Sequence, residues 1–465
     1  MTSKIKHKKS QTSSVMDKSL LSLTWPIFVD TLMVFLINVA DAWFLSQQSD
    51  DSAAAVGAIL PITGMCFSFF VALNAAGAAV ATKLFGKHSK SAQNENNIHS
   101  HIIALNFGAI LGLCFITGIV ISAVLLMFNV HMAALMGLSG DALLDGSTYL
   151  KTLGFAALAL SIRFGASATL QAYGQTKWNM ACTAVMTVVN LFFNYTFMYG
   201  AFGLPKLGVQ GVALATDIAW IVNLILTFAA IYYLQIKITL PKTIQSFKKS
   251  SKAILDIAIP SAIEPQAWHL SQLVIMSMIV NLGQVALATR VYAFNIIFIV
   301  VLFTVSLSAG VQLKVSYLYG AEKYKDMHNT LIKGVLQGLA LVVVTLAFLY
   351  VFSASLLGLF SQNPEIIALG STIIGIAVFA EVGRILNMVI GFSVKVVGHA
   401  KFIAVFGIST MWLISLPFTW FLGVYLGFGL IGIWIAMGID ECFRGSVATW
   451  YWYKKQNERL LKKSK

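Results

Sequence analysis

A chain of 465 residues with 58% hydrophobic and 11% charged side chains carries less than half the charge of an ordinary soluble domain, where roughly a quarter of residues are charged. With a mean hydropathy of +0.80, it is excluded from the water-soluble classes, and its length is counted in membrane spans of about 20 residues. Its 32 basic and 18 acidic residues give a net charge of +14, but half of the bases lie in three short stretches flanking apolar runs. These are Lys4, Lys6, Lys8, Lys9 and Lys18; Lys237, Lys242, Lys248, Lys249 and Lys252; and Lys454, Lys455, Arg459, Lys462, Lys463 and Lys465. Cytoplasmic retention and contact with anionic lipid headgroups account for them, so nucleic acid is not an expected partner.

The first apolar run, Leu20 to Leu45, is too long for a signal peptide and lacks a small-residue cleavage site, so it is expected to persist as a span. Further runs predict spans near 55–82, 99–129, 147–172, 178–200, 207–235, 252–281, 286–313, 330–360, 366–395, 401–425 and 428–452. Alternate connections share a basic bias: Lys83, Lys87 and Lys90; Lys177; Lys237 to Lys252; Lys314, Lys323 and Lys325; Lys395 with Lys401. The other set holds Asp50, Asp51, Asp141 and Asp145 and little base beyond Lys206. The positive-inside rule then predicts twelve spans with both termini cytoplasmic. The expected layout is a basic segment 1–19, a six-helix lobe 20–235, a linker 236–251, a second lobe 252–453 and a basic tail 454–465. The cysteines, Cys66, Cys114, Cys182 and Cys442, lie in or beside apolar runs and read as small buried hydrophobes.

The halves resemble each other. Trp25-Pro26 is answered by Ile259-Pro260, Gly86 by Gly320, Gly174-Gln175-Thr176-Lys177 by Gly398-His399-Ala400-Lys401, and Gly208 with Gly211 by Gly429 with Gly432. Ordered matches with a slowly drifting offset predict a duplication. The expected fold is an all-α integral membrane protein of twelve helices, arranged as two pseudo-symmetric six-helix bundles around a central cavity.

Polar groups at membrane depth are costly and therefore functional candidates. Asp41 and Asn38 fall one turn apart on span one, a carboxylate beside an amide that suits Na⁺ or a proton. Glu264 lies four residues after Pro260, as Asp30 lies four after Pro26, which predicts a facing pair across the repeat. Pro260 and Pro265 break the helix ladder beside Glu264, and Gln266, His269 and Gln272 continue a polar stripe. Glu381 and Arg384 are spaced to pair, with Asn387 on the same face, in either a structural or a coupling role. Asn190 and Asn194 share a face of span five, and Asp217 on span six is expected to complete a cluster with them. Asp440, Glu441 and Arg444 are expected to be interfacial, at the cytoplasmic end of span twelve.

The sequence carries no phosphate-binding loop, so ATP is not the expected energy source, and no His/Cys metal constellation or helical His-Glu-x-x-His, so no enzymatic role is expected.

Leu23-Thr24-Trp25-Pro26-Ile27, Asp41 followed by Ala53-Ala54-Ala55-Val56-Gly57, and above all Gly203-Leu204-Pro205-Lys206-Leu207-Gly208-Val209-Gln210-Gly211-Val212-Ala213-Leu214-Ala215-Thr216 resemble the multidrug and toxic compound extrusion (MATE) family. The resemblance runs from about Leu20 to Trp452. It implies two six-helix lobes in a V, exporting amphipathic, often cationic, organic compounds in antiport with H⁺ or Na⁺, with no other cofactor. It places Asp41 and Asn190 on the family's span-one aspartate and span-five asparagine, puts Asn194 where some members have a second aspartate, and makes Glu264 and Glu381 candidates for the acids of the second lobe. A monomer working on small organic molecules among membrane lipids is expected. The alternative is a lipid or lipid-linked oligosaccharide flippase of similar architecture, which needs bases to hold diphosphate; Arg163, Arg290 and Arg384 are the available ones.

Overall fold

The computed structural model describes residues 15–89 and 96–464. Lys4, Lys6, Lys8 and Lys9 of the expected basic segment, with Lys90 and Lys465, lie outside them. Among the described residues the chain is helical and none lies in a strand. The principal helices are α1 (Leu20–Ser46), α2 (Asp50–His88), α3 (Asn96–Leu135), α4 (Gly140–Ala172), α5 (Thr176–Tyr199), α6 (Gly208–Tyr233), α7 (Ile244–Val280), α8 (Gln284–Gly320) and α9 (Tyr324–Val351). A short helix, Ser353–Gly358, precedes α10, which begins as Pro364–Ile385 and runs on through π-helical turns at Leu386–Ile390 and Lys395–His399. Gly398, at a φ of 104°, breaks the chain there. The next helix, α11, begins as Ala400–Thr410 and continues through π-helical turns to Tyr425; α12 spans Gly429–Ser464.

Among the described residues nine segments are long and apolar enough to cross a bilayer, and one of them, Pro364–Tyr425, spans 62 residues and is the α10–α11 double pass. The remaining two helices, α7 and α12, have 37 and 36 residues. Their apolar runs are interrupted by Glu264, Gln266, His269 and Gln272 in one and by Asp440, Glu441 and Arg444 in the other. Twelve passes result, a multi-pass membrane protein. Helix outlasts the expected spans at several ends: the second half of the expected linker belongs to α7, and the expected tail continues α12.

The described residues divide into two compact units, one of residues 15–18 with Trp25–Ala258, the other of Ser19–Thr24 with Ile259 onward. In the first, Phe70, Ile59, Leu125, Leu150, Leu160, Met186 and Val212 join one apolar core. In the second, α9 packs closely on its neighbours: a Cβ at Gly334 would meet Val311 of α8, and one at Gly338 both Leu307 and Ile385. Large apolar side chains such as Ile225, Val344 and Leu413 remain exposed, as lipid-facing surfaces require.

The repeat is legible in backbone geometry. Gly208 and Gly429 open α6 and α12 with φ of 56° and 57°, a left-handed conformation that L side chains avoid. Three residues on, Gly211 lies against Phe197 of α5, and Gly432 against the Leu422 carbonyl of α11, so a Cβ at either would stand 2.6 Å from that neighbour. The same close approach thus joins helices five and six of each half.

In the first unit the connection after α6 docks on α3. Thr239 N–H donates to the Ala104 carbonyl at 3.0 Å, and Gly108 and Gly112 make room for Thr239 and Phe247. Lys18, ahead of α1, donates to the carbonyl of Gly174, just past the end of α4. Burial, with Lys177 nearby, lowers the Lys18 amine from its usual value.

Candidate functional site

Asp41 lies on α1, fifteen residues beyond the internal Pro26, and is 4% exposed. A carboxylate so buried must be matched by donors. Three neutral groups supply them. Asn194 Nδ2 donates to Oδ1 at 2.6 Å, Asn190 Nδ2 to the same oxygen at 3.3 Å, and Thr216 Oγ1 to Oδ2 at 2.8 Å. The α5 pair is also internally bonded, Asn194 Nδ2 to Asn190 Oδ1 at 3.1 Å, and Asn190 Nδ2 reaches Thr216 Oγ1 at 3.1 Å. The four-residue spacing of the asparagines puts both amides on one face of α5. An ionised carboxylate only accepts, which fixes both amides with nitrogen toward it. Asn194 Oδ1 is left buried without a hydrogen-bond partner, an oxygen available to a hard cation.

Asp41 also lines a cleft of about 40 Å³ with Asn38, Ala42, Leu45, Ala53, Val56, Gly57, Leu60 and Tyr149. That volume admits water, which needs on the order of 10–15 Å³. Asn38, itself exposed, is a cleft residue here and not a donor to Asp41. Asp217 is buried, but its expected place in the cluster is taken by the preceding Thr216, whose hydroxyl reaches Asp41; Asp217 Oδ1 has no hydrogen-bond partner. Successive residues on a helix point about 100° apart, so the neighbour of the expected residue does the contacting.

A second polar layer of this unit centres on Arg163. Its guanidinium meets Asp30 at 3.5 Å, Asn223 Oδ1 at 3.2 Å and Thr183 Oγ1 at 3.0 Å, and lies over the rings of Phe164 and Trp220. Asp30, expected to face Glu264 across the repeat, meets a base within its own unit, and so does Glu264.

In the second unit that base is Lys395, whose Nζ donates to Glu264 Oε2 at 2.5 Å, the side chains being 7% and 17% exposed. The sequence pattern put Lys395 in a cytoplasmic connection; the helix instead continues to His399 and buries it. Glu381 and Arg384 do pair, Arg384 Nε lying 3.0 Å from Glu381 Oε1, and Arg384 Nη1 also holds Glu441 at 3.0 Å. Arg444 extends the network to Asp440 at 2.8 Å and Glu441 at 3.3 Å, while Asn387 donates to Glu441 Oε2 at 2.9 Å. Asp440, Glu441 and Arg444 are buried within this network, at 3%, 5% and 7% exposure. A π-helical turn at Leu386–Ile390 follows Arg384 directly and carries Asn387.

Sequence reasoning passed over Thr216, Tyr149 and Lys395. Lys395 had a signal, a lone lysine in Phe392-Ser393-Val394-Lys395-Val396-Val397. Tyr149 carries no charge and had none beyond its place in an apolar run, and Thr216 was visible only as the last residue of the Gly203-to-Thr216 motif.

The MatE family model matches this chain twice, over residues 26–196 and 260–421, beginning at the two prolines that align the halves. The uncharacterized transporter YisQ of Bacillus subtilis (strain 168) is 33% identical over 428 residues, 92% of each chain. A probable multidrug resistance protein NorM of Thermotoga maritima is 22% identical, over 92% of this chain and 90% of its own. Among solved structures, MATE in the bent conformation superposes with a TM-score of 0.85 at 17% identity, over 96% of both chains. An outward-facing multidrug resistance MATE transporter of the MOP superfamily gives 0.84 at 17% identity, over 95% of this chain and 96% of its own; at such identity these two speak for the fold. With both halves matched in register, the chain belongs to the multidrug and toxic compound extrusion (MATE) family.

Proposed function

We propose that this protein is a secondary active exporter of amphipathic, cationic organic compounds, working in antiport with H⁺ or Na⁺ taken up at Asp41. The observation that carries this reading is a buried carboxylate that lines a water-sized cleft and, among the described residues, accepts from the neutral donors Asn190, Asn194 and Thr216. A proton or Na⁺ there changes the charge of the site by one and disturbs the three hydrogen bonds. That is the differential interaction a coupling ion needs to favour one state over another. Relatives named as probable multidrug resistance proteins support the substrate class. The basic bias of alternate connections supports both termini on the cytoplasmic side, and membership of the family supports a cytoplasmic membrane. A diphosphate-carrying flippase is disfavoured because Arg163 and Arg384 are already committed to acids.

The test is efflux of a fluorescent cationic dye from inverted vesicles, under an imposed pH gradient and separately an imposed Na⁺ gradient, with Asp41→Asn alongside. Gradient-driven movement that Asp41→Asn abolishes is expected. Movement by Asp41→Asn equal to the parent, or no movement under either gradient across several dyes, overturns the reading.

A further inference from the structure

Four arginines lie in the spanning helices, where a charge must be compensated, and Arg444 is matched by Asp440. Arg163 is matched by Asp30, and Arg384 by Glu381 and Glu441. Arg290, in the second turn of α8 and only 6% exposed, has no carboxylate within 4.0 Å among the described residues. Its contacts are neutral. Nη2 donates to Gln272 Oε1 of α7 at 3.2 Å, and the guanidinium lies 4.4 Å from the ring centre of Phe294 and 4.8 Å from that of Trp434 on α12. Nε has no hydrogen-bond partner, and the charge acting on the group is that of Arg384, of like sign.

Arginine stays charged in proteins, and its fork of five N–H groups matches a carboxylate edge to edge. The two aromatic contacts hold the guanidinium in place, one N–H is used by Gln272, and the Nε edge is left unmatched. We propose that Arg290 is an anion subsite of the second unit, taking the carboxylate of an aryl acid. The carboxylate would accept from Nε–H and a neighbouring Nη–H, leaving the Gln272 bond in place. A single unpaired guanidinium suits one negative charge better than a diphosphate. As a substrate subsite this extends the exporter reading to compounds bearing an acidic group, and it rests on that reading only for transport. Binding is tested without a gradient.

The experiment is equilibrium binding of 2-naphthoate and of its methyl ester to the purified full chain in lipid nanodiscs. The parent should bind the acid saturably. Arg290→Gln should weaken acid binding at least tenfold, Arg290→Lys by less, and neither should change ester binding. Gln272→Glu places an internal carboxylate on Arg290 and should displace the acid by at least tenfold while leaving ester binding alone; it serves even where Arg290→Gln does not fold. No saturable acid binding to the parent, or acid affinity unchanged in Arg290→Lys and Gln272→Glu, overturns the proposal. Acid binding at Arg290 with no gradient-driven efflux would leave the subsite standing and remove the exporter reading; the converse removes the subsite alone.

Discussion

Removing one member of the Glu264–Lys395 pair strands its partner. Lys395→Met keeps a similar apolar stem and deletes the ammonium, leaving the Glu264 carboxylate, 17% exposed, without the base now 2.5 Å away. Breaking a buried pair from one side costs about 3–5 kcal/mol. The low end applies because Glu264 keeps some contact with solvent, so about 3 kcal/mol is expected. Adding Glu264→Gln removes the stranded charge and should recover all but about 1 kcal/mol, roughly 2 kcal/mol of the loss. For a unit of about 200 residues, 3 kcal/mol corresponds to a fall in Tm of roughly 6–12 °C. The assay is thermal unfolding in detergent followed by tryptophan fluorescence, for the parent, both single variants and the double. A Lys395→Met variant melting within about 2 °C of the parent, or a double variant less stable than Lys395→Met, would refute the pair as a structural element of the second unit.

Two further outcomes follow from local geometry. At Gly108 a Cβ would stand 2.1 Å from the Thr239 carbonyl oxygen, so Gly108→Val should lift the connection off α3 at a cost of about 1–3 kcal/mol; cleavage of the 235–243 stretch by added protease should accelerate, and an unchanged rate counts against docking. Trp452 Nε1 donates to His328 Nδ1 at 3.1 Å, so Trp452→Phe should cost about 1 kcal/mol and speed hydrogen exchange around residues 448–456, whereas unaltered exchange would show that the bond does not hold α12 there.

Membrane class, pass number and repeat were legible because each rests on a pattern that hydrocarbon enforces along the chain: apolar runs of fixed minimum length, basic bias on one side, and helix-turn glycines recurring in order. Gly208 and Gly429 were visible for that reason, and their matching φ of 56° and 57° reflects the same backbone need twice. Asp41, Asn190 and Asn194 were legible as polar exceptions on apolar faces, and the structure joins them. Partner choice was not legible. Which acid meets which base depends on contacts between helices far apart in sequence, so Asp30 and Glu264 were matched by symmetry when each has a base in its own unit. Lys395 was misplaced for a related reason: connections were assigned by charge, and a lysine four residues from a turn looks like a loop residue until the helix is seen to carry it inward.

The two units treat buried carboxylates differently, and the difference bears on where an ion can act. In the second unit Glu264, Glu381, Asp440 and Glu441 each lie within 3.0 Å of a lysine or arginine nitrogen. Neutralising any of them gives up an ion pair and strands a base. In the first unit Asp41 has two amides and a hydroxyl, with no base among its hydrogen-bond partners. A cation arriving there strands nothing: amides rotate to present oxygen, and the threonine hydroxyl both donates and accepts. An ion that must bind and leave in every cycle is better served by the site whose partners adapt to both states. On that ground we propose that ion coupling lies at Asp41, with Glu264, Glu381 and Arg384 holding the second unit together.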